Sequence, residues 1–168
     1  VKMTGTPASL ASIFTETTPN SGFTRLGMFI DTSNKVVIVS RDTVTTDTGS
    51  SITLTGVAAL AVGTWYHVAV TYDAATDTRS IYINGVLDFT SSATPIATFT
   101  AGAPAVVSVG CYGAAASNFL PGSVRDVRVY NTAKTAGEVT AIYNQSRTGS
   151  GTFDTTGLVG AYPCNEES

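Results

Sequence analysis

Charge is scarce in this chain. Asp, Glu, Lys and Arg make up 12% of its 168 residues, against roughly 25% in typical globular domains. Lys and Arg are scattered singly from Lys2 to Arg147, and the net charge is −3. Nucleic-acid binding needs clustered Lys and Arg, so no nucleic-acid partner is expected. Histidine occurs once, at His67, and cysteine twice, at Cys111 and Cys164. Two cysteines so far apart lack the ligand number and spacing of a metal centre, and no cofactor is expected. Apolar runs are short and interrupted, nowhere near the roughly 20 residues of a membrane span. The opening VKMTGTPASL lacks the apolar core of a signal peptide. That leaves an exported chain whose leader has been removed, or a segment of something longer.

What is present is a β-protein composition rich in Ser, Thr, Ala and Gly. The length suits one domain over residues 1–168 with a genuine core. Strand-like runs bounded by turn residues fall near 10–17, 24–32, 35–43, 51–58, 65–73, 78–84, 86–92, 105–112, 122–131 and 158–164. Ser33-Asn34 is expected to close one tight hairpin. Asn84-Gly85 is expected to close another as a type I′ turn, whose two central residues both need positive φ. In the 65–73 run, Tyr66, Val68, Val70 and Tyr72 share one face, while Trp65, His67, Ala69 and Thr71 share the other. Bulk on both faces predicts a central strand.

One short helix is predicted near 135–145. Thr135 and Glu138 have the spacing of a capping box, and Val139, Ile142 and Tyr143 give a short apolar stripe. A polar loop over 146–157 then leads to a terminal strand at 158–164. Many strands with one helix and no βαβ alternation predict an all-β, two-sheet antiparallel sandwich.

The stretch GTWYHVAVTYD (63–73), the run IYING (81–85), the segment GSVRDVRVYN (122–131) and the helix ending AIYN (141–144) follow one another in this order. The combination resembles the laminin-G-like family of concanavalin A-like jelly rolls, which has pentraxin relatives, over residues 1 to about 145. The resemblance implies a jelly-roll sandwich in which 63–93 forms the central sheet pair. Two departures accompany it. A strand pair normally precedes the segment that VKMTGTPASLASIFTE resembles. Conversely, GLVGAYPCNE (157–166) resembles the family's opening strand, yet it comes last here. The chain is then permuted, trimmed or part of a tandem array, and its terminal strand closes either its own sheet or a neighbour's.

Candidate sites follow from this frame. His67 has aromatic and aliphatic neighbours, lacks an obvious partner acid and nucleophile, and is read as a hydrogen-bonded structural residue. Glucanase relatives place paired acids at alternate positions of one strand, and no Glu-x-Asp-x-Glu occurs here, so no catalytic residues and no enzyme activity are expected. Pentraxin-type calcium sites draw acids from the loop before the 122 strand, but that loop reads CYGAAASNFLPG and holds no carboxylate. Asp31, Asp42, Asp47, Asp73 and Asp77 lie in hairpin loops, where Asp commonly serves turn geometry. A rim calcium stays open without a defensible ligand set.

Tyr112 and Phe119 could stack on a sugar ring and Asn118 could bond its hydroxyls, or the same loop could simply cap the sandwich. Asp126 and Arg128 are expected to pair. Cys111 and Cys164 form a disulfide or remain two small apolar thiols. Two function classes follow. One is a structural or assembly module of an extracellular, cell or virion surface (a decoration protein, a fibre protein or a filament subunit) that associates with copies of itself through strand edges. The alternative is a carbohydrate- or protein-binding adhesion module.

Overall fold

The computed structural model describes residues 1–17, 24–41, 51–92, 106–113, 117–148 and 154–164. For Thr24, Arg25, Arg41 and Ser51 it describes the backbone alone. Asp42, Asp47, Ala114–Ala116, Glu166 and Glu167 lie outside the described residues.

The elements run β1 (Lys2–Met3), β2 (Ala11–Thr17), β3 (Thr24–Ile30), β4 (Lys35–Arg41), β5 (Ser51–Ala59), β6 (Val68–Asp73), β7 (Thr78–Ile83), β8 (Val86–Ser91), β9 (Val106–Val109), β10 (Gly122–Ser123), β11 (Val127–Tyr130), α1 (Ala136–Thr148) and β12 (Leu158–Tyr162). All pairings are antiparallel. One layer is a continuous sheet in the order β5-β4-β3-β2-β9. The other is pieced together from β6-β7-β8, β11-β12 and the short pair β1-β10. The result is a jelly-roll sandwich with a single helix among the described residues.

Alternation places Ile13, Ile30, Val36 and Ile38 of the first sheet against Ile81 of the second, with Met3, Leu60 and Leu120 closing the ends of the core. Ile30, Val36 and Ile81 are fully excluded from water, and each such side chain contributes about 1.5–3 kcal/mol. Asp88 of β8 reaches across to accept the backbone N–H groups of Val57 (2.7 Å) and Ala58 (2.9 Å), tying β8 to β5. Buried Arg79 of β7 donates to Ser40 Oγ of β4 at 3.3 Å and so joins the layers a second time.

Turn chemistry matches expectation. Asn84 and Gly85 adopt φ of 51° and 79°, and Asn34 adopts 61°. Gly85 is required twice over: its φ is positive, and a Cβ there would lie 3.2 Å from the Thr140 backbone. The capping box forms as predicted. Thr135 N–H donates to Glu138 Oε2 at 2.7 Å, and Glu138 N–H donates back to Thr135 Oγ1 at 3.3 Å. Val139 and Ile142 are buried.

Several boundaries move. The helix runs to Thr148, so the expected loop at 146–157 loses its first three residues to α1. The 105–112 strand ends at Val109, and Gly110 turns out with φ of 74°. The 65–73 strand starts only at Val68, because Trp65 and Tyr66 pair instead with the chain start. The 122–131 run splits into β10 and β11 at Asp126, whose φ is 55°. The two-residue β1 carries no period for a sequence to show.

The terminal strand closes its own sheet: β12 pairs with β11, Val127 opposite Tyr162 and Val129 opposite Gly160. The approach is fixed by Lys134, 7% exposed, which donates to Thr156 O at 2.6 Å and to Asp154 Oδ2 at 2.8 Å. Tyr130 OH donates to Asp154 O at 3.3 Å.

Candidate functional site

The loop singled out from sequence follows β9 and returns to the start of β2. Tyr112 N–H donates to Ser117 O at 2.7 Å, closing the loop at its neck. Beyond the neck the backbone is pinned on both sides. Ser12 N–H donates to Asn118 O (2.9 Å), and Leu120 N–H donates to Gly110 O (2.9 Å). Leu120 is buried, yet Phe119 between these anchors is 65% exposed. Asn118 takes a left-handed φ of 48°, a conformation Asn tolerates better than most residues.

The three candidates therefore separate. Asn118 and Phe119 form an exposed tip, but Tyr112 turns inward, its ring 6.2 Å from that of Phe29 on the outer face of the five-stranded sheet. It covers part of that face and is half-buried, unlike the exposed Asn118 and Phe119.

The cysteines are unbonded. Cys111 is half-buried beyond β9 of the continuous sheet, whereas Cys164 is exposed beyond β12 of the other layer, so the disulfide expected as one alternative does not form. The hairpin acids do turn work. Asp31 Oδ1 accepts from Ser33 N–H (2.8 Å) and Lys35 N–H (2.9 Å). Asp73 accepts from the Thr76 hydroxyl and then from Ala75 N–H, and these bonds hold its carboxyl below the usual range. Asp77 accepts from Tyr72 OH at 3.0 Å. Among the described residues, no three of His, Cys, Asp and Glu converge.

His67 departs from expectation. Its backbone N–H donates to Asn84 Oδ1 (3.0 Å), but ring Nδ1 has no hydrogen-bond partner, and the ring packs 5.8 Å from Tyr143. Burial, then the nearby amino terminus and Arg128, hold its pKa down at about 4. It is a neutral packing residue at pH 7. Asp126 and Arg128 pair as expected, through two contacts of 2.8 Å, Nε to Oδ1 and the second terminal nitrogen to Oδ2.

The sequence reading missed a groove. Between β6 and β11 runs a cavity of about 630 Å³. Its floor is Phe14, Leu26 and Met28 of the continuous sheet, and its walls are Val68 and Val70 on one side and Val127 and Val129 on the other. Trp65 stands at one end with the Arg125 guanidinium 4.3 Å from its ring centroid, and Tyr143 lines the groove near His67. The amino group of Val1 lies at the same end as Trp65. It donates to Tyr66 O at 2.8 Å, and burial followed by Arg125 lowers its pKa to about 6. Bulk on both faces of 65–73 predicts a central strand, but β6 stands at the edge of the β6-β7-β8 sheet, with the groove along its open side.

The fold has known relatives. In Bacteroides ovatus, a structure described as a putative carbohydrate binding protein superposes with a TM-score of 0.66 at 17% identity, over 96% of this chain and 42% of that one. The chain thus spans less than half of that protein. The CBM40 of a Ruminococcus gnavus IT-sialidase, bound to α2,3-sialyllactose, superposes with a TM-score of 0.70 at 19% identity, over 84% of this chain and 77% of that one. A heptameric SAP-like pentraxin from Limulus polyphemus gives 0.59 at 16% identity, over 84% and 65%. At these identities the likeness is one of fold. No curated protein matches the sequence. A sequence profile of the concanavalin A-like lectin/glucanases superfamily does match, over residues 1–140, and the chain belongs to its Laminin_G_3 family.

Proposed function

We propose that this chain is a non-catalytic, glycan-binding module of an extracellular surface, with Asn118 and Phe119 at its contact edge. The observation that carries the reading is Phe119 itself, 65% exposed on a backbone tied down at Asn118 and Leu120. A large aromatic held out of the core on a rigid segment can stack on the apolar face of a pyranose without losing much freedom on binding. Asn118 beside it supplies an amide that can donate to and accept from sugar hydroxyls.

The fold adds support. Solved structures that share it include the Ruminococcus gnavus module bound to sialyllactose and the Bacteroides ovatus carbohydrate binding protein. No helix among the described residues is long and apolar enough to cross a membrane. The assembly reading has less behind it, because β12, the strand it would lend to a neighbour, is paired with β11 of its own chain.

The test is a glycan array of neutral and sialylated oligosaccharides, followed by titration of the best binder against Phe119→Ala. Affinity should fall about tenfold with an unchanged melting temperature, since the side chain packs on little. An array without binders, or a variant that binds like the parent, contradicts the proposal.

A further inference from the structure

The outer face of β6 and β7 carries hydroxyls where the inner face carries apolar residues. Ile81 points into the core, so its neighbours Ser80 and Tyr82, and Thr78 with them, turn outward. On β6 the residues paired with them share that face: Thr71 lies opposite Ser80, and Asp73 opposite Thr78. The segment leading into α1 stands over these strands as a wall, through Lys134 and Thr135. Strands and wall enclose a pocket of about 210 Å³. Pockets that hold drug-sized ligands run to about 300–1,000 Å³, so this one suits a single ring.

Its polar groups have capacity left for a ligand. Tyr82 lines the pocket and is 6% exposed, yet its hydroxyl has no hydrogen-bond partner among the described residues. A Tyr hydroxyl so well covered usually finds one. Ser80 Oγ lies 3.0 Å from Thr90 Oγ1, and Thr90 donates its own proton to Arg79 O at 3.2 Å. Ser80 is therefore the donor of that pair, and its lone pairs stay open to accept. Asp73 accepts from the Thr76 hydroxyl and from Ala75 N–H at 2.9 Å each. An ionised carboxylate accepts about four such bonds, which leaves it room for more.

Charge narrows the choice. The Lys134 ammonium is already matched, by Asp154 at 2.8 Å and Glu138 at 3.8 Å. Asp73 is then the one unbalanced charge lining the pocket, and it opposes an anionic ligand. A neutral polyol instead offers it a hydroxyl proton, in an ionic hydrogen bond roughly twice as strong as a neutral one.

We propose that this pocket binds a single neutral pyranose ring. One ring hydroxyl donates to Asp73, and the hydroxyls beside it exchange hydrogen bonds with Thr71, Ser80 and Tyr82. Asn118 and Phe119 belong to the loop after β9 and take no part, so the inference does not rest on the reading given for that loop.

The test titrates methyl glycosides of glucose, galactose and mannose into the isotope-labelled chain, with N-acetylneuraminic acid as the charged comparison. For a ligand of one ring the expected Kd is on the order of a millimolar. Amide shifts at Thr71, Ser80 and Tyr82 should saturate with at least one neutral glycoside, whereas N-acetylneuraminic acid should give none. Tyr82→Phe removes only the unpartnered oxygen, so the melting temperature should hold while Kd rises about tenfold. Phe119→Ala should leave the shifts as they are. Absence of shifts at these three amides, parental affinity in Tyr82→Phe, or N-acetylneuraminic acid binding as tightly as the neutral rings would each overturn the proposal. Shifts confined to Asn118 and Phe119 would overturn it as well, and would leave the glycan reading of their loop standing.

Discussion

The two layers of the sandwich are built from similar residues to different effect. In the β5-β4-β3-β2-β9 sheet every interior strand has a partner on both sides, and its inward side chains Ile13, Ile30, Val36 and Ile38 are closed off from water, whereas Phe14, Leu26 and Met28 under the groove are only half-buried. In the opposite layer Val68 and Val70 have the same alternation and the same apolar chemistry, yet they stay half-buried beside a groove of about 630 Å³. Apolar pattern alone therefore does not make a core. A buried strand needs neighbours in its own sheet as well as a facing layer: β7, flanked by β6 and β8, has both and buries Ile81, whereas β6 ends its sheet.

The largest expected effect comes from breaking that contrast at its strong end. Ile30→Ala removes a fully buried side chain and should cost about 3–4 kcal/mol in chemical unfolding. Val70→Ala, at the groove wall, should cost only about 1 kcal/mol. Similar losses at both positions would erase the distinction between the layers.

A smaller effect sharpens it, because two groups with depressed pKa values, His67 and Val1, both line the groove. When unfolded, His67 takes a proton near its ordinary value of 6.5, whereas folded it does so only at about 4. Stability is therefore full above pH 6.5 and lost as pH falls toward 4, by on the order of 2 kcal/mol. Val1 adds a loss of the same sign between 8.0 and about 6. Urea unfolding at pH 8.5, 6 and 4.5 checks the sign, and acetylating Val1 should remove only the upper part. The smallest effect is at the helix that backs the broken layer. Glu138→Ala removes half of the capping box and should cost about 1 kcal/mol or less; the helical circular-dichroism signal should fray with it.

These comparisons also explain what the sequence could and could not convey. β2 to β9 were legible from alternation and from the Asn34 and Asn84-Gly85 turns, because those signals act over a few residues. Thr135 and Glu138 announced the helix start for the same reason. The break at Asp126 and the two-residue β1 were illegible, since both arise from pairing between the chain start and residues 65–66 and 122–123. At the candidate site, Phe119 could be picked as an aromatic on a loop. Tyr112 looked equivalent, because its packing on Phe29 is a contact between segments far apart in the chain.

Amide hydrogen exchange tests the contrast between the layers most directly. The amides of β3, flanked by β2 and β4, should be strongly protected, while those of Val68 and Val70 exchange faster by on the order of a thousandfold. Equal protection at β3 and at Val68 and Val70 would mean that the edge of β6 is already paired, and the account of an interrupted layer would be wrong.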